Sequence, residues 1–371
     1  MRKIIGFLMA VVMAVGITAC SEPVKEIEIV KNSEVIKPVE LAVPMELNGY
    51  SDVVLVSFDG RYAVFSVNRT GNFLSNHNIR ETAKIVVYDV ETQKTVHLVN
   101  LNIPRGIVYA AAKQGDNLYF AVSFDNRRSA KVYINNGLET TELIYYQEDG
   151  NYKDLNFALS DENVILDVFI YNFEVTAHEF FILDGENVKH GYSHGSAYES
   201  FILENLECTD GENGVEYSFT EVINNKDSNT IIANRWKGNE CRTIIELPAE
   251  NAKCFGLMEN MVFHNVQNSE NTANTFMLAV TDIENGKTTE IDMMKISGFI
   301  TGSENFGVFL HGEDYENITL VNVQDKVATF TDVDMEFNHG LDTNYRLAEN
   351  SMFIWKKGNN DMPAKIYLIK Q

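Results

Sequence analysis

The sequence has almost none of the motifs that mark a nucleotide-dependent or zinc-dependent enzyme. It contains no Gly-x-x-x-x-Gly-Lys-Ser/Thr phosphate loop, no Gly-x-Gly-x-x-Gly, no Cys-x-x-Cys and no His-Glu-x-x-His. His190 and His194 are four residues apart on an expected turn, which is not a metal-ligand pattern. We therefore expect no cofactor and no metal site. An enzyme whose catalytic residues come from distant parts of the chain stays open, because it needs no linear motif.

Positive charge is scarce as well. The chain has 30 Lys and Arg residues against 53 Asp and Glu residues, which gives a formal net charge of −23. Such a surface repels nucleic acid and anionic lipid, so no nucleic-acid partner is expected. It suits cationic partners or divalent ions, or it is simply a solvated acidic surface.

Cysteine is rare, with four residues in a chain of 371. Cys20 ends an N-terminal apolar run, and the other three are Cys208, Cys241 and Cys254. Three cysteines cannot all pair within one chain. We expect buried free thiols, with one disulfide as the alternative.

The first twenty residues have the features of an export signal. Arg2 and Lys3 precede an apolar run, Ile4–Val15, that is too short to span a bilayer as a helix. The sequence Gly-Ile-Thr-Ala-Cys that ends at Cys20 resembles the lipobox of bacterial lipoproteins. The resemblance implies that residues 1–19 are a cleaved signal peptide and that the Cys20 thiol carries a diacylglyceryl group. It also implies a lipid-anchored, extracytoplasmic protein of the cell envelope.

Two details refine this expectation. Ser21 is not the Asp that retains lipoproteins of Gram-negative bacteria in the inner membrane, so the resemblance implies sorting to the outer membrane in a host that has one. The alternatives are an ordinary secretory peptide and an N-terminal membrane helix. Residues 20–50 are rich in Glu, Val and Pro and are expected to form a lipidated tether that contains a closing strand.

The rest of the chain has a repeated β pattern. Beyond residue 50, β-branched and aromatic runs alternate with Asn, Asp and Gly clusters, and helical periodicity is nearly absent. A turn ending in Asn recurs before an apolar strand at spacings of 45 to 50 residues. The turn asparagines are Asn117, Asn163, Asn213, Asn260, Asn305 and Asn350. Four strands in each unit, repeated seven times, predict an all-β, seven-bladed β-propeller over residues 51–371.

The seventh unit ends at Gln371 after its third strand. The segment Glu26–Lys31 (EIEIVK) alternates apolar and charged residues, as a half-buried strand does. We predict that it supplies the missing fourth strand and closes the ring, which removes two open sheet edges. The alternative is an unpaired tether.

The first unit carries a more specific signature. SFDGRYAVFSVNR followed by AKIVVYDVETQKTVHL, between Ser57 and Leu98, resembles the TolB-type, WD40-like repeat. Later units keep the strand spacing but replace Asp-Gly with acidic-Asn turns. The resemblance therefore implies a propeller and carries over no binding partner.

Arginine is distributed unevenly along this acidic chain. In four-stranded blades, the loops between second and third strands share one face with the connections between blades. Five arginines fall in such segments of the first two units, and His77 lies in the longest of these loops. The candidate anion-binding residues are Arg69, Arg80, Arg105, Arg127, Arg128 and His77. The alternative is that these arginines pair with neighbouring carboxylates.

These observations favour a membrane-anchored extracytoplasmic propeller that binds a protein, an anionic small molecule or a glycan. One alternative is a glycan-active hydrolase or lyase with its site in the central pocket. Another is a structural subunit of an envelope complex, which predicts an exposed apolar patch.

Overall fold

The structure is a computed structural model, and it describes most of the chain after residue 25. The described ranges are 26–71, 79–124, 127–159, 163–171, 176–196, 200–211, 214–225, 228–237, 240–249, 255–267, 276–300, 305–311, 317–335, 343–348, 350–358 and 363–370. The predicted signal peptide, Cys20, His77 and Cys254 lie outside these ranges. Within them, no helix is long and apolar enough to cross a membrane.

The first two sheets each contain four antiparallel strands in chain order. Sheet one consists of β3 (Val53–Phe58), β4 (Tyr62–Gly71), β5 (Ile79–Asp89) and β6 (Lys94–Asn100). Sheet two consists of β7 (Ile107–Gln114), β8 (Asn117–Phe124), β9 (Ser129–Asn135) and β10 (Thr140–Tyr146).

The next two sheets have the same order of strands. Sheet three consists of β11 (Tyr152–Leu159), β12 (Val164–Tyr171), β13 (Thr176–Asp184) and β14 (Asn187–Ser196). Sheet four consists of β15 (Ser200–Gly211), β16 (Gly214–Asn225), β17 (Ser228–Lys237) and β18 (Glu240–Ala249).

The remaining strands form an eight-stranded double sheet and a four-stranded last sheet. The double sheet has β19 (Phe255–Met258), β20 (Met261–Gln267), β21 (Phe276–Asp282), β22 (Thr288–Ile300), β23 (Phe306–His311), β24 (Asn317–Gln324), β25 (Val327–Asp332) and β1 (Glu28–Lys31). The last sheet has β26 (Thr343–Ala348), β27 (Ser351–Lys356), β28 (Lys365–Lys370) and β2 (Val39–Leu41), and a short 3-10 helix spans Met45–Leu47. The prediction of an all-β fold is confirmed.

Asparagine and aspartate make the tight turns that the sequence predicts. Asp59 Oδ1 accepts hydrogen bonds from the backbone N–H of Arg61, at 2.9 Å, and of Tyr62, at 2.5 Å. Gly60, which follows Asp59, has a backbone φ of +95°, a conformation that residues with a Cβ rarely adopt. At the next turn, Asp89 Oδ1 accepts the N–H of Glu91 at 2.9 Å. These turns reverse the chain and set the hairpin pairing of sheet one.

The recurring turn asparagines mark strand starts. Asn117 is the first residue of β8, and the described members of the set elsewhere directly precede β12, β20, β23 and β27. Asn213 lies outside the described residues. The rhythm in the sequence therefore corresponds to the second strand of successive four-stranded groups.

Neighbouring sheets pack face to face through apolar clusters. Sheet one shares a cluster with sheet two, sheet two with sheet three, and the two halves of the double sheet share another. The last sheet packs on the double sheet on one side and on sheet one on the other. At that second contact, Phe65 meets Trp355 edge to face with ring centroids 5.4 Å apart. A fully buried ring of this kind contributes roughly 1.5–3 kcal/mol.

Residues 26–47, which we call the belt, run from the double sheet to sheet one. β1 pairs in parallel with β25, with Glu28 opposite Val327. Farther along, β2 pairs antiparallel with β28, with Val39 opposite Leu368.

The prediction that Glu26–Lys31 completes the last unit is therefore wrong for that segment, since Val39–Leu41 pairs there instead. The alternation in EIEIVK does predict a strand. It cannot predict which open edge the strand takes, and Ile27 and Ile29 pack on the double-sheet core.

The end of the belt is held by sheet one. The Tyr88 hydroxyl donates to the backbone carbonyl of Ala42 at 2.9 Å, and Thr95 Oγ1 donates to Glu46 Oε2 at 2.7 Å. Leu41 and Leu47 are buried in the cluster between the last sheet and sheet one. The belt thus contributes both ladder hydrogen bonds and apolar burial.

Candidate functional site

Three of the predicted arginines meet at one end of sheet one. Arg69 lies on β4 and its Nε donates to Glu81 Oε1 at 2.7 Å. The Arg80 guanidinium binds both oxygens of Asp52 through Nε and Nη2. The backbone N–H of Arg105 donates to Glu81 Oε2 at 3.3 Å. Arg69 and Arg80 lie on strands rather than in a loop, because β4 and β5 extend farther than predicted.

A buried polar network fixes this end of the sheet. Thr82 Oγ1 donates to Asn68 Oδ1 at 2.8 Å and accepts the backbone N–H of Val108, from sheet two, at 2.9 Å. The Asn68 amide reaches Asp52 at 3.4 Å. The network therefore connects the Arg80–Asp52 pair to the contact between sheets one and two.

Electrostatics at Asp52 follow from these contacts. Burial alone would raise the pKa of Asp52, but the hydrogen bond and charge of Arg80, with help from Asn68, lower it overall. The same pair raises the pKa of Arg80. Both groups are therefore held in their charged forms.

The other two predicted arginines lie where sheets two and three meet. The Arg127 guanidinium binds Asp154 and lies 5.6 Å from the centre of the Tyr109 ring. Arg128 reaches Glu148 at 3.9 Å and lies 5.7 Å from the centre of the Tyr152 ring. Guanidinium groups over aromatic faces at such distances are attracted by the ring quadrupole.

Tyr152 extends this cluster toward a further tyrosine. Its ring stacks on Tyr171 with centroids 5.3 Å apart. We call this set the Tyr–Arg patch, and its members are Tyr109, Arg127, Arg128, Tyr152 and Tyr171. The structure thus divides the five predicted arginines between two places, one at sheet one and one at the patch.

The patch is partly open to solvent. The Arg127 and Arg128 side chains are 50% and 48% exposed, and the three tyrosines are half-buried. The hydroxyl oxygen of Tyr109 is fully buried. Burial, together with the negative charge of Asp154, raises the pKa of both Tyr109 and Tyr171. Both phenols are therefore neutral hydrogen-bonding groups near neutral pH.

The buried side chain of Lys153 holds the backbone next to the Tyr–Arg patch in place. Lys153 is 1% exposed, and its Nζ donates to Asp149 Oδ1 at 2.6 Å and to the backbone carbonyl of Arg128 at 2.9 Å. A third bond goes to the carbonyl of Asn151 at 3.2 Å. Lys153 therefore joins the loop that carries Arg128 to the connection that precedes β11.

Sequence reasoning did not single out the polar groups inside sheet three. Asp167 and His178 are both almost fully buried, with Oδ1 and Nδ1 3.0 Å apart, and Phe169 stacks on the His178 ring at 4.6 Å. The Tyr146 hydroxyl donates to Glu179 at 2.9 Å. A polar residue among alternating apolar residues was the available signal, and it is weak because many strands have one.

The His190 region differs from its prediction. His190 and His194 lie within β14 and not on a turn, and His190 Nε2 is 2.9 Å from Ser193 Oγ. Residues 191–195 read Gly-Tyr-Ser-His-Gly, which matches the Gly-x-Ser-x-Gly pattern of a nucleophile elbow. That pattern requires a strand–turn–helix, and here Ser193 is in an extended strand opposite Glu179.

Register places two of the cysteines far apart. Cys208 is opposite Tyr217, Tyr217 is opposite Trp236, and Trp236 is opposite Cys241. Three strand spacings put the Cα atoms of Cys208 and Cys241 about 14 Å apart. A disulfide needs less than about 7 Å, so these two cysteines do not pair with each other. In the described ranges, no group of three His, Cys, Asp or Glu residues is placed to hold a metal ion.

Comparisons with solved structures identify the fold. The β-propeller domain of the trilobed protease from Pyrococcus furiosus, described as having an open velcro topology, is similar over 86% of this chain and 93% of its own. The TM-score is 0.55 and the identity 8%. The polysaccharide lyase Uly1 is similar over 95% of this chain and 94% of its own, with a TM-score of 0.52 and 11% identity.

A Pyrococcus horikoshii acylaminoacyl peptidase matches with a TM-score of 0.52 and 11% identity over 87% of this chain and 52% of its own, so the chain spans about half of that peptidase. No family model matches the sequence, and no curated protein matches it. At these identities the likeness shows the fold alone, and the body of the chain is a β-propeller.

Proposed function

We propose that this chain is an extracytoplasmic lipoprotein, anchored through Cys20, that binds a protein partner at the Tyr–Arg patch. The anchor is supported by the lipobox in the sequence. The binding role is supported by the composition and exposure of the patch.

The proposed body is a ring of seven blades. β22 pairs with β21 on one side and with β23 on the other, so the double sheet contains two four-stranded groups that share a strand. Together with sheets one to four and the last sheet, this gives seven groups. The packing of Phe65 against Trp355 joins the seventh to the first.

The observation that carries the binding proposal is the cluster of two half-exposed arginines and three partly buried tyrosines. Tyr and Arg supply much of the affinity of protein interfaces. Tyr offers a large contact area with only two rotatable bonds, and Arg offers a planar fork of hydrogen-bond donors. Asp154 and Glu148 already face the two guanidinium groups. A partner surface with its own polar groups is therefore a better match than a free small anion.

Site-specific photocrosslinking in cells tests this proposal. A benzophenone amino acid replaces Tyr152 in the full-length chain, and the matched control places it at exposed Val188 on β14 of the same sheet. We expect a discrete protein adduct at position 152 and none of that size at position 188. Identical adducts at both positions, or none at 152, would contradict the proposal.

One observation favours the enzyme alternative, namely the hydrogen bond between Ser193 and His190. A serine beside a base is the arrangement of an activated nucleophile, although the described residues near this pair include no turn or helix of the usual elbow. Labelling by a fluorophosphonate probe that disappears in Ser193→Ala would support a hydrolase. Absence of labelling with a retained adduct at position 152 would support the binding module.

A further inference from the structure

We infer that the rim of the double sheet where the belt begins lies against the membrane that carries Cys20, and that the Tyr–Arg patch faces away from it. This inference rests on the proposed lipid anchor. It specifies which surface of the body contacts lipid and on which side of the body the protein partner binds.

The start of the belt is fixed to the double sheet. Lys287 Nζ donates to Glu26 Oε1 at 2.7 Å, and β1 then pairs along β25. Lys31 continues this contact at 3.5 Å from Asp332. The chain therefore joins the folded body at the outer rim of this sheet.

The length of chain before the belt decides how far the anchor can reach. Only six residue steps separate Cys20 from Glu26 in the sequence, and they span at most about 22 Å when fully extended. A compact body of this size has a radius of gyration of about 20 Å, so it is roughly 50 Å across. Such a tether keeps the rim within about 22 Å of the bilayer. When this edge of the body faces the lipid, the opposite edge, on the far side, is roughly 50 Å away.

The patch lies on that far side. Contacts run from the double sheet through the last sheet and sheet one to sheet two, and in the other direction through sheet four to sheet three. The patch lies where sheets two and three meet, so it is as far around the proposed ring from the start of the belt as any position. A partner at the patch is therefore met in solution or on an opposing surface.

The belt also has the surface chemistry for an interfacial position. Val35, Val39 and Met45 are 55%, 58% and 80% exposed, so three large apolar side chains of this short segment face outward. The free energy is lowered when exposed apolar side chains enter the boundary between lipid headgroups and acyl chains. These side chains support a lipid surface as the occupant of this rim.

Lysine acylation followed by mass spectrometry tests the orientation without altering the fold. The full lipidated chain is bound to phosphatidylcholine vesicles and compared with the soluble Cys20→Ser chain. We expect acylation of Lys31, Lys37 and Lys287 to slow at least threefold on vesicles. Acylation of Lys189, which is exposed on the outer strand of sheet three, should be unchanged.

A matched variant isolates the effect of tether length. Insertion of thirty Gly and Ser residues between positions 25 and 26 should keep the protein on vesicles and restore fast acylation of Lys31, Lys37 and Lys287. If acylation of Lys189 slows equally, or if acylation of Lys31, Lys37 and Lys287 does not slow in the bound protein, the orientation alone is overturned. A full chain that does not bind vesicles overturns the proposed anchor, and the orientation with it.

Discussion

The arginine cluster at sheet one and the Tyr–Arg patch were predicted as one feature, and the structure separates them. At sheet one, Arg69 pairs with a carboxylate, Glu81, that is 9% exposed, and Arg80, itself 53% exposed, binds Asp52 beside the buried Thr82–Asn68 hydrogen bond. At the patch, Arg127 and Arg128 lie over tyrosine rings that are partly exposed. Arginines at similar positions in successive sheets can therefore stabilise the body in one place and offer a contact surface in another.

The largest expected effect comes from breaking the network at sheet one. Thr82→Val keeps the shape of the side chain but leaves the Val108 N–H and the Asn68 carbonyl without their partner. Each unsatisfied buried group costs about 1–3 kcal/mol, so the free energy of unfolding should fall by about 2 kcal/mol or more. Urea unfolding measures this loss.

Tyr152→Phe is the matched change at the patch, since it removes one hydroxyl from a half-buried ring. It should change the free energy of unfolding by less than about 0.5 kcal/mol. If Thr82→Val and Tyr152→Phe lower the free energy of unfolding equally, the cluster at sheet one and the Tyr–Arg patch do not differ in their contribution to stability.

The next effect is a dependence on pH that belongs to sheet one. The folded-state pKa of Asp52 is lowered below its ordinary value of 3.8, so its contribution to stability is present above that value and is lost as pH falls through the folded pKa. The stability difference between the native chain and Asp52→Asn should therefore shrink as pH is lowered from about 6 toward 3. Urea unfolding at several pH values measures it, and a difference that stays constant would contradict the assignment.

The smallest effect on stability is expected at the patch. Arg128 is half exposed and lies 3.9 Å from Glu148, and ion pairs of this kind contribute little, so Arg128→Ala should change the free energy of unfolding by less than about 0.5 kcal/mol. The same variant should lower the crosslinking yield at position 152 severalfold. A large loss of stability with unchanged crosslinking would reverse the roles assigned to the two regions.

The sequence predicts the strand rhythm well because turn chemistry is local. Asp59 and Gly60 specify their turn without reference to the rest of the chain, and Asn117 starts the strand expected of it. Partners of the arginines depend on register instead. Arg69 meets Glu81 because they are opposite each other in the β4–β5 hairpin, across an irregularity beside Asn68 that no periodicity reveals.

Pairing between distant segments is harder still to predict. Arg127 meets Asp154 across two sheets, which requires the packing of the sheets to be known. The belt shows the same limit, since the alternation in EIEIVK predicts a strand but not its partner, and no sequence pattern singled out Val39–Leu41. Only the three-dimensional positions of β25 and β28 decide which strand each one joins.

The pairing of β2 with β28 also has a consequence for the order of folding. Val39 and Leu368 are about 330 residues apart in the sequence, yet they are opposite each other, and a contact across that separation carries a large entropic cost of closure. Until the final strand arrives, the belt has no edge to join in the last sheet, and the apolar faces of Leu41 and Leu47 have no cluster to enter. The belt should therefore dock in one late step, after β28 has formed.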